Sequence, residues 1–422
     1  MVELYDHQKE AINFLIKNNF QGYIALPPGL GKTRIVAFLI KEYQPRKALI
    51  VCPKSAFAIW EKELNLFEVP KKSYIVINYE KLLSGFKTGK QLPYIEFLVL
   101  DEAHRVKNIR AKTTRMLFAY AKYRFPKVLL SGTPFKELID LYSQFFIINP
   151  AIFGRWRDFV EDYFERVINP FGGIDYIPKP EAKEEILKKI APYFFRKDRS
   201  EITDLKQIEV MYEVRTPPQY SWKSFKEAVI SSIKDKSDPE SFFEDLVDSI
   251  KGKFIQFYRE ASIHNTKKHE FIKDFLKDNP DTVVFTYFVD EAILLGKETS
   301  AYVITGSTPF SKRVEILKKQ DKPLIITSCF TESANLDRYG NLIFSTVPSS
   351  LIQFTQVAGR IDRLSQSRKF ITYIYLLDEY NQKMLTLLRE RKTLSDLFVE
   401  ILRESSRREH QSKKDYSKKQ KA

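Results

Sequence analysis

Three short stretches of this 422-residue sequence carry residue types at spacings suited to phosphate chemistry. The first is Leu26-Pro27-Pro28-Gly29-Leu30-Gly31-Lys32-Thr33, placed between an apolar run and the apolar helical pattern Ile35 to Tyr43. A phosphate chain needs backbone N–H groups turned inward at positions too crowded for a Cβ, and Gly29 and Gly31 meet that need. The Lys32 ammonium can then reach β- and γ-phosphates and the Thr33 hydroxyl can ligate Mg²⁺, with Pro28 and Leu30 completing the loop. The following helix adds its partial positive charge at the same point. The second stretch, Phe97-Leu98-Val99-Leu100-Asp101-Glu102-Ala103-His104, is an apolar strand ending in two acids. Such a strand delivers carboxylates to the edge of a parallel sheet where ligands bind. Asp101 is placed to hold Mg²⁺, Glu102 to orient and deprotonate a water, and His104 to sense the γ-phosphate. The third is Gln356-Val357-Ala358-Gly359-Arg360-Ile361-Asp362-Arg363, whose two arginines, three apart, share one helix face. Guanidinium groups suit bidentate phosphate contacts and transition-state charge.

Each stretch has a plainer reading. A Gly-Leu-Gly turn can precede Lys-Thr by chance, an Asp-Glu pair after a strand can cap a helix, and most Arg-x-x-Arg pairs are solvated. The first two stretches, about seventy residues apart, support each other and displace the plain readings. One departure from the strict phosphate-loop pattern is Leu26, where the first glycine stands.

The elements that must position these residues follow from hydrophobic patterning. Strand candidates up to residue 150 are Tyr23–Leu26, Ala48–Val51, Tyr74–Ile77, Phe97–Leu100 and Lys127–Leu130. The pattern restarts at Thr282–Phe285, then Tyr302–Ile304, Leu324–Thr327, Leu342–Phe344 and Phe370–Ile374. Near-continuous apolar runs separated by helical patterns predict two α/β units, each with a parallel sheet covered on both faces. Residues 151–265 mix charged and aromatic residues at helical spacing and predict a mostly helical insertion. The expected division is 1–150, 151–265, 266–388, and 389–422 as a helix with a basic tail. Residues 403–422 hold eight Lys or Arg against three Asp or Glu, a composition that predicts disorder.

The net charge is +15, of which the tail supplies 8 − 3 = +5, so the body keeps +10 and favours a polyanionic partner. Cys52 and Cys329 form neither a disulfide framework nor a zinc site. His264 and His269 read as a solvated pair. With no leader-like segment and no long apolar run, a reduced, cytoplasmic location is expected and a membrane is not.

On these motifs the sequence resembles the superfamily 2 helicases, and within them the Swi/Snf-type ATPases, from about Leu4 to about Leu388. Asp101–Asn108, with its trailing Arg105-x-Lys107-Asn108, is similar to that family's acidic motif and unlike that of RNA helicases. Leu49–Trp60, Asn78-Tyr79-Glu80, Leu130-Ser131-Gly132-Thr133-Pro134, Tyr193–Asp198 and Thr305–Pro309 with Arg313 look like further family segments. Gln8 in Tyr5-Asp6-His7-Gln8 matches the adenine-reading glutamine. The run Leu141–Phe145 and residues 172–176 resemble the branch holding fork-remodelling annealing helicases, with phage branch-migration ATPases nearby. Two departures stand out. Cys329–Leu336 lacks glycine where the family's motif V is rich in it, and Ser365-Gln366 replaces a glycine-glutamine.

The resemblance implies two RecA-like lobes with ATP between them, the second lobe contributing Arg360 and Arg363 as arginine fingers. His104, Ser131, Thr133 and Gln356 would couple nucleotide state to DNA. It further implies an ATP- and Mg²⁺-dependent translocase, a monomeric motor on double-stranded or branched DNA serving replication, recombination or repair. A protein partner or the basic tail would target it. The alternatives are a strand-separating DNA or RNA helicase and a non-hydrolysing, nucleotide-gated DNA-binding module.

Overall fold

Runs such as Ala48-Leu49-Ile50-Val51 have no polar face, so a strand built from them is stable only with both faces covered. The computed structural model of the chain meets that requirement twice. It describes residues 3–87, 94–168, 174–234, 242–328, 336–362 and 368–390, with 392, 394, 397 and 398. These belong to two compact units, Met1–Asp204 and Leu205–Ala422.

The first unit begins with β1 (Gly22–Ala25), β2 (Ala48–Val51), β3 (Tyr74–Ile77), β4 (Phe97–Asp101) and β5 (Lys127–Ser131). A separate antiparallel hairpin of β6 (Phe164–Ile168) and β7 (Ile174–Pro178) follows, then β8 (Phe194–Arg196). The main sheet runs β3-β2-β4-β5-β1-β8, every neighbouring pair parallel. The register sets Ala25 beside Ser131 and Asp101 beside Leu130. Three strand ends, and the loops they feed, therefore lie at one edge. The helix Lys32–Tyr43 buries Ile35, Val36, Ala37, Leu39 and Ile40, and each large apolar side chain among them contributes roughly 1.5–3 kcal/mol when fully buried.

The second unit contains β9 (Lys206–Glu213), β10 (Thr282–Thr286), β11 (Tyr302–Ile304), β12 (Leu324–Thr327), β13 (Asn341–Phe344) and β14 (Phe370–Leu377). Its order is β11-β12-β10-β13-β14-β9, again all parallel. Its two cores divide along the strands as alternation requires: Val283 and Phe285 pack into one, Val284 into the other. Each of the ten strands read from the apolar runs is present.

The stretch 151–265 does not form one helical lobe. It divides at Asp204 and Leu205 between the units, and holds the β6–β7 hairpin, β8 and β9 beside the helices Trp156–Tyr163, Ala182–Ile190, Trp222–Lys234 and Phe242–Ile263. The physical reason is that β8 is three residues long and β9 is exposed along its length, so neither presents a continuous apolar run. Lys-Gln-Ile-Glu-Val-Met-Tyr-Glu does alternate, the signature of an edge strand. His269 also departs from expectation: it is 5% exposed, with Nε2 4.0 Å from the Glu291 carboxylate, while His264 is exposed and stacks on Tyr220. Cys52 is buried and forms no disulfide among the described residues. The basic tail 403–422, Arg363, Cys329 with the rest of 329–335, and Ser365-Gln366 lie outside the described residues. Among the described residues no helix is long and apolar enough to cross a membrane.

Candidate active site

The phosphate loop is built by two left-handed glycines. Gly29 has φ +84° and Gly31 φ +75°, a region that side-chain-bearing residues occupy at a cost of roughly 1–2 kcal/mol. Space excludes a side chain at Gly31 as well: a Cβ there would meet Gln8 Nε2 at 2.2 Å. Gln8 is buried and lies against the loop, its Nε2 donating to Leu30 O (3.4 Å) and its Oε1 accepting from Tyr5 N (3.1 Å). His7 Nε2 is 2.9 Å from the same carbonyl. The Lys32 ammonium donates to Leu26 O (2.7 Å) and Pro27 O (3.3 Å), so it sits inside the loop, with Thr33 half-buried next to it on the helix.

Across the edge, β4 delivers its acids. Asp101 is 8% exposed; Trp60 Nε1 donates to its Oδ2 (2.9 Å) and Glu102 N to its Oδ1 (3.0 Å). Burial, then the adjacent Glu102 carboxylate, push Asp101 up from 3.8 to about 6, against the Trp60 hydrogen bond and the Lys32 ammonium. Glu102 turns the chain sharply with φ +53°, ψ +51°, an uncommon conformation for a residue with a side chain. His104 Nδ1 lies 3.3 Å from Glu102 Oε2 and 3.1 Å from Ser131 Oγ. Ser131 Oγ also accepts from Thr133 N (3.1 Å). At Gly132 a Cβ would come within 2.9 Å of Pro28 Cδ, so this turn abuts the phosphate loop.

Of the residues expected at the site, Gln8, Pro28, Gly29, Leu30, Gly31, Lys32, Thr33, Asp101, Glu102, His104, Ser131 and Thr133 all belong to the first unit, most of them on loops or strand ends. Gln356 and Arg360 lie on the helix Leu351–Ile361 of the second, half-buried. Several residues have positioning contacts that the motifs did not announce, Trp60 and Tyr79 among them although both fall in family-like segments. Trp60 and Tyr79, whose hydroxyl donates to Asp101 O (2.7 Å), hold the acid strand end. Arg199, just after β8, donates to Pro28 O (3.3 Å). Arg34 and Glu63 form a two-point ion pair (2.9 and 3.2 Å) that ties the loop's helix to Phe57–Leu66. For Trp60, which ends a family-like segment, the contact itself follows from a buried indole N–H requiring an acceptor. In the second unit, Arg313 binds the carbonyls of Thr305, Gly306 and Thr308 and holds that loop's shape. The donor set, a threonine hydroxyl and a buried carboxylate beside glycine-shaped space, is made of hard oxygens that fit Mg²⁺.

Known proteins share these sequence features. The model of the SNF2-related domain matches residues 67–237, and that of the type III restriction enzyme res subunit matches residues 1–68. A Danio rerio protein described as DNA excision repair protein ERCC-6-like is 26% identical over 300 residues, covering 60% of this chain and 20% of its own length. A Bacillus subtilis protein described as the uncharacterized ATP-dependent helicase YqhH is 23% identical over 422 residues, covering 87% of this chain and 74% of its own. The DNA repair and recombination protein RAD54B of Gallus gallus is 30% identical over 207 residues, 39% of this chain and 22% of its own. The chain spans about a fifth of the length of the ERCC-6-like relatives it matches. Among solved structures, the Sulfolobus solfataricus SWI2/SNF2 ATPase core in complex with dsDNA aligns over 92% of this chain and 91% of its own, at 19% identity and a TM-score of 0.42. Both family models fall chiefly on the unit that holds the phosphate loop and the acid pair, and it is there that the chain is similar to the SNF2-related domain.

Proposed function

We propose that this chain is an ATP hydrolase of the SNF2-related, helicase type and a translocase on double-stranded DNA that remodels forks or junctions in replication, recombination or repair. The observation that carries the reading is a charge pattern beginning directly after Glu102. From Ala103 to Lys136 the chain has nine Lys or Arg and no Asp or Glu. Arg105, Arg110, Lys112, Arg115 and Lys136 are exposed. An acid-free cationic stretch next to a hydrolytic site suits a phosphate backbone bound without regard to sequence, as a tracking motor requires. The resemblance at Arg105-x-Lys107-Asn108, and relatives named for DNA repair and recombination, favour DNA over RNA.

In the proposed reaction Lys32 and the loop amides bind the phosphates, and Gln8 reads the adenine. Glu102 orients the attacking water and takes its proton. Arg360 and Arg363 neutralise transition-state charge. Thr33 and Asp101 would hold Mg²⁺, which when bound neutralises charge on the β- and γ-phosphates. Glu102 can serve as base only while ionised, and His104 at 3.3 Å holds its carboxylate in place.

The test measures ATP turnover with duplex, forked, four-way-junction and single-stranded DNA and with RNA. It adds displacement of a third strand from a triplex, which reports movement along an unopened duplex. Stimulation by duplex or branched DNA with triplex displacement is expected. Stimulation by RNA alone, or unwinding without triplex displacement, would sink the reading.

A further inference from the structure

Two buried polar side chains of the first unit have no part in the hydrolysis described above. Tyr23 lies on β1 and Gln144 on the helix Leu141–Ile148, both 0% exposed. Tyr23 packs against Phe145 and Phe194 in the core that also holds Leu129, where an apolar residue of similar size would need no hydrogen-bond partner. Instead the Tyr23 hydroxyl donates to Gln144 Oε1 (2.8 Å), and the register, Tyr23 beside Leu129 and Ala25 beside Ser131, sets Ser131 on the same sheet face as Tyr23. Gln144 Nε2 donates to Pro134 O (2.8 Å) and Asp140 O (2.9 Å).

These contacts join the catalytic carboxylate to the cationic stretch. On one side Glu102, His104 and Ser131 are linked in steps of 3.3 Å and 3.1 Å, and Ser131 adjoins Tyr23 on the sheet face. On the other, Asp140 Oδ2 accepts from Lys107 Nζ (3.3 Å), Lys136 N (3.0 Å) and Glu137 N (3.2 Å). Ser143, the neighbour of Gln144, donates to the carbonyls of Val106 and Lys107 (both 2.7 Å). Lys107 and Lys136 both belong to the acid-free stretch.

We infer that Tyr23 and Gln144 are positioning residues that carry occupancy of the Lys107–Lys136 surface by a nucleic-acid backbone to Glu102 and His104. A phosphate drawing Lys107 from Asp140 would shift the turn that Gln144 clamps, and with it the Tyr23–Ser131–His104 chain. This role rests on the nucleic-acid reading proposed above.

The experiment measures kcat and KM for ATP, with and without duplex DNA, in the wild-type chain, Tyr23→Phe, Gln144→Leu and the control Tyr142→Phe. Tyr142 is on the same helix and loses a comparable hydroxyl bond, to Gly154 O (3.0 Å), off the path. Tyr23→Phe and Gln144→Leu are expected to reduce the DNA stimulation of kcat by about tenfold, the middle of the usual range for coupling between sites. KM for ATP and duplex affinity should stay within about twofold, and Tyr142→Phe should keep its stimulation. Wild-type stimulation in both path variants overturns the inference, as does equal loss in Tyr142→Phe, which would mark a general loosening of the helix. Should Gln144→Leu not fold, Tyr23→Phe decides alone. A wild-type chain that no nucleic acid stimulates defeats the functional reading first, and the inference with it.

Discussion

Asp101 and Glu102 are adjacent, yet the strand end gives them different surroundings. Asp101 is enclosed beneath Trp60 and raised to about 6, while the left-handed turn at Glu102 leaves its side chain 22% exposed next to His104. That difference in exposure supports the water-directing role proposed for Glu102. Glu102→Gln should lower ATP turnover by roughly 10²–10⁴-fold, the usual worth of a general base, with ATP affinity in a fluorescent-nucleotide assay changed only a few-fold. A variant that still turns over at about a tenth of the wild-type rate would contradict the assignment. Lys127 offers a test of burial at the opposite end of β5. It is 2% exposed, donates to Tyr123 O (2.6 Å) and Phe125 O (3.3 Å), and burial pushes it down from 10.5 to about 8. Between those values the unfolded chain binds more protons than the folded one, so this residue's contribution to stability rises with pH. From about pH 8 to about pH 9.5 the wild type should gain on Lys127→Met by no more than about 2 kcal/mol in denaturant unfolding. A difference that stays flat with pH would show that the ammonium is solvated.

Among the elements, the loop between β1 and the helix Lys32–Tyr43 leaves least room for change. Gly31→Ala combines a φ of +75° with a Cβ 2.2 Å from Gln8 Nε2, so the loop and the Gln8 packing cannot both persist. Nucleotide affinity is expected to fall by about tenfold or more, with ATP selectivity over GTP reduced as Gln8 is displaced, given a strain of roughly 1–2 kcal/mol from the backbone alone. Retained affinity and selectivity in a nucleotide titration would show that the loop yields elsewhere. The strands show which elements residue order reveals. β2 and β4 are buried throughout and were legible as runs; β9 is exposed along its whole length and paired with β14 alone. The neighbouring charged and aromatic residues hid its alternation.

For the whole molecule, charge is the property that reaches furthest. A chain of +15, with nine cations and no acid from Ala103 to Lys136, should bind duplex DNA with an affinity that falls steeply as salt rises. Replacing Arg110, Lys112 and Arg115 together by alanine should lower the slope of log affinity against log salt by about three, near one for each phosphate left without its cation. An unchanged slope would place the DNA elsewhere on the surface. Residue order alone announced the two parallel sheets, the glycine-shaped phosphate loop and the acid pair at a strand end, because each is written in consecutive residues: a run without a polar face, or a glycine where a Cβ cannot fit. The join between the units at Asp204 and Leu205 was not announced, nor the recruitment of β8 beside β1, nor the service of Trp60, Tyr79, Tyr23, Gln144 and Arg199 around the site. Those depend on pairings between residues far apart in the chain. Strand register and buried hydrogen bonding choose such partners only once the sheets have formed, and no local pattern encodes the choice.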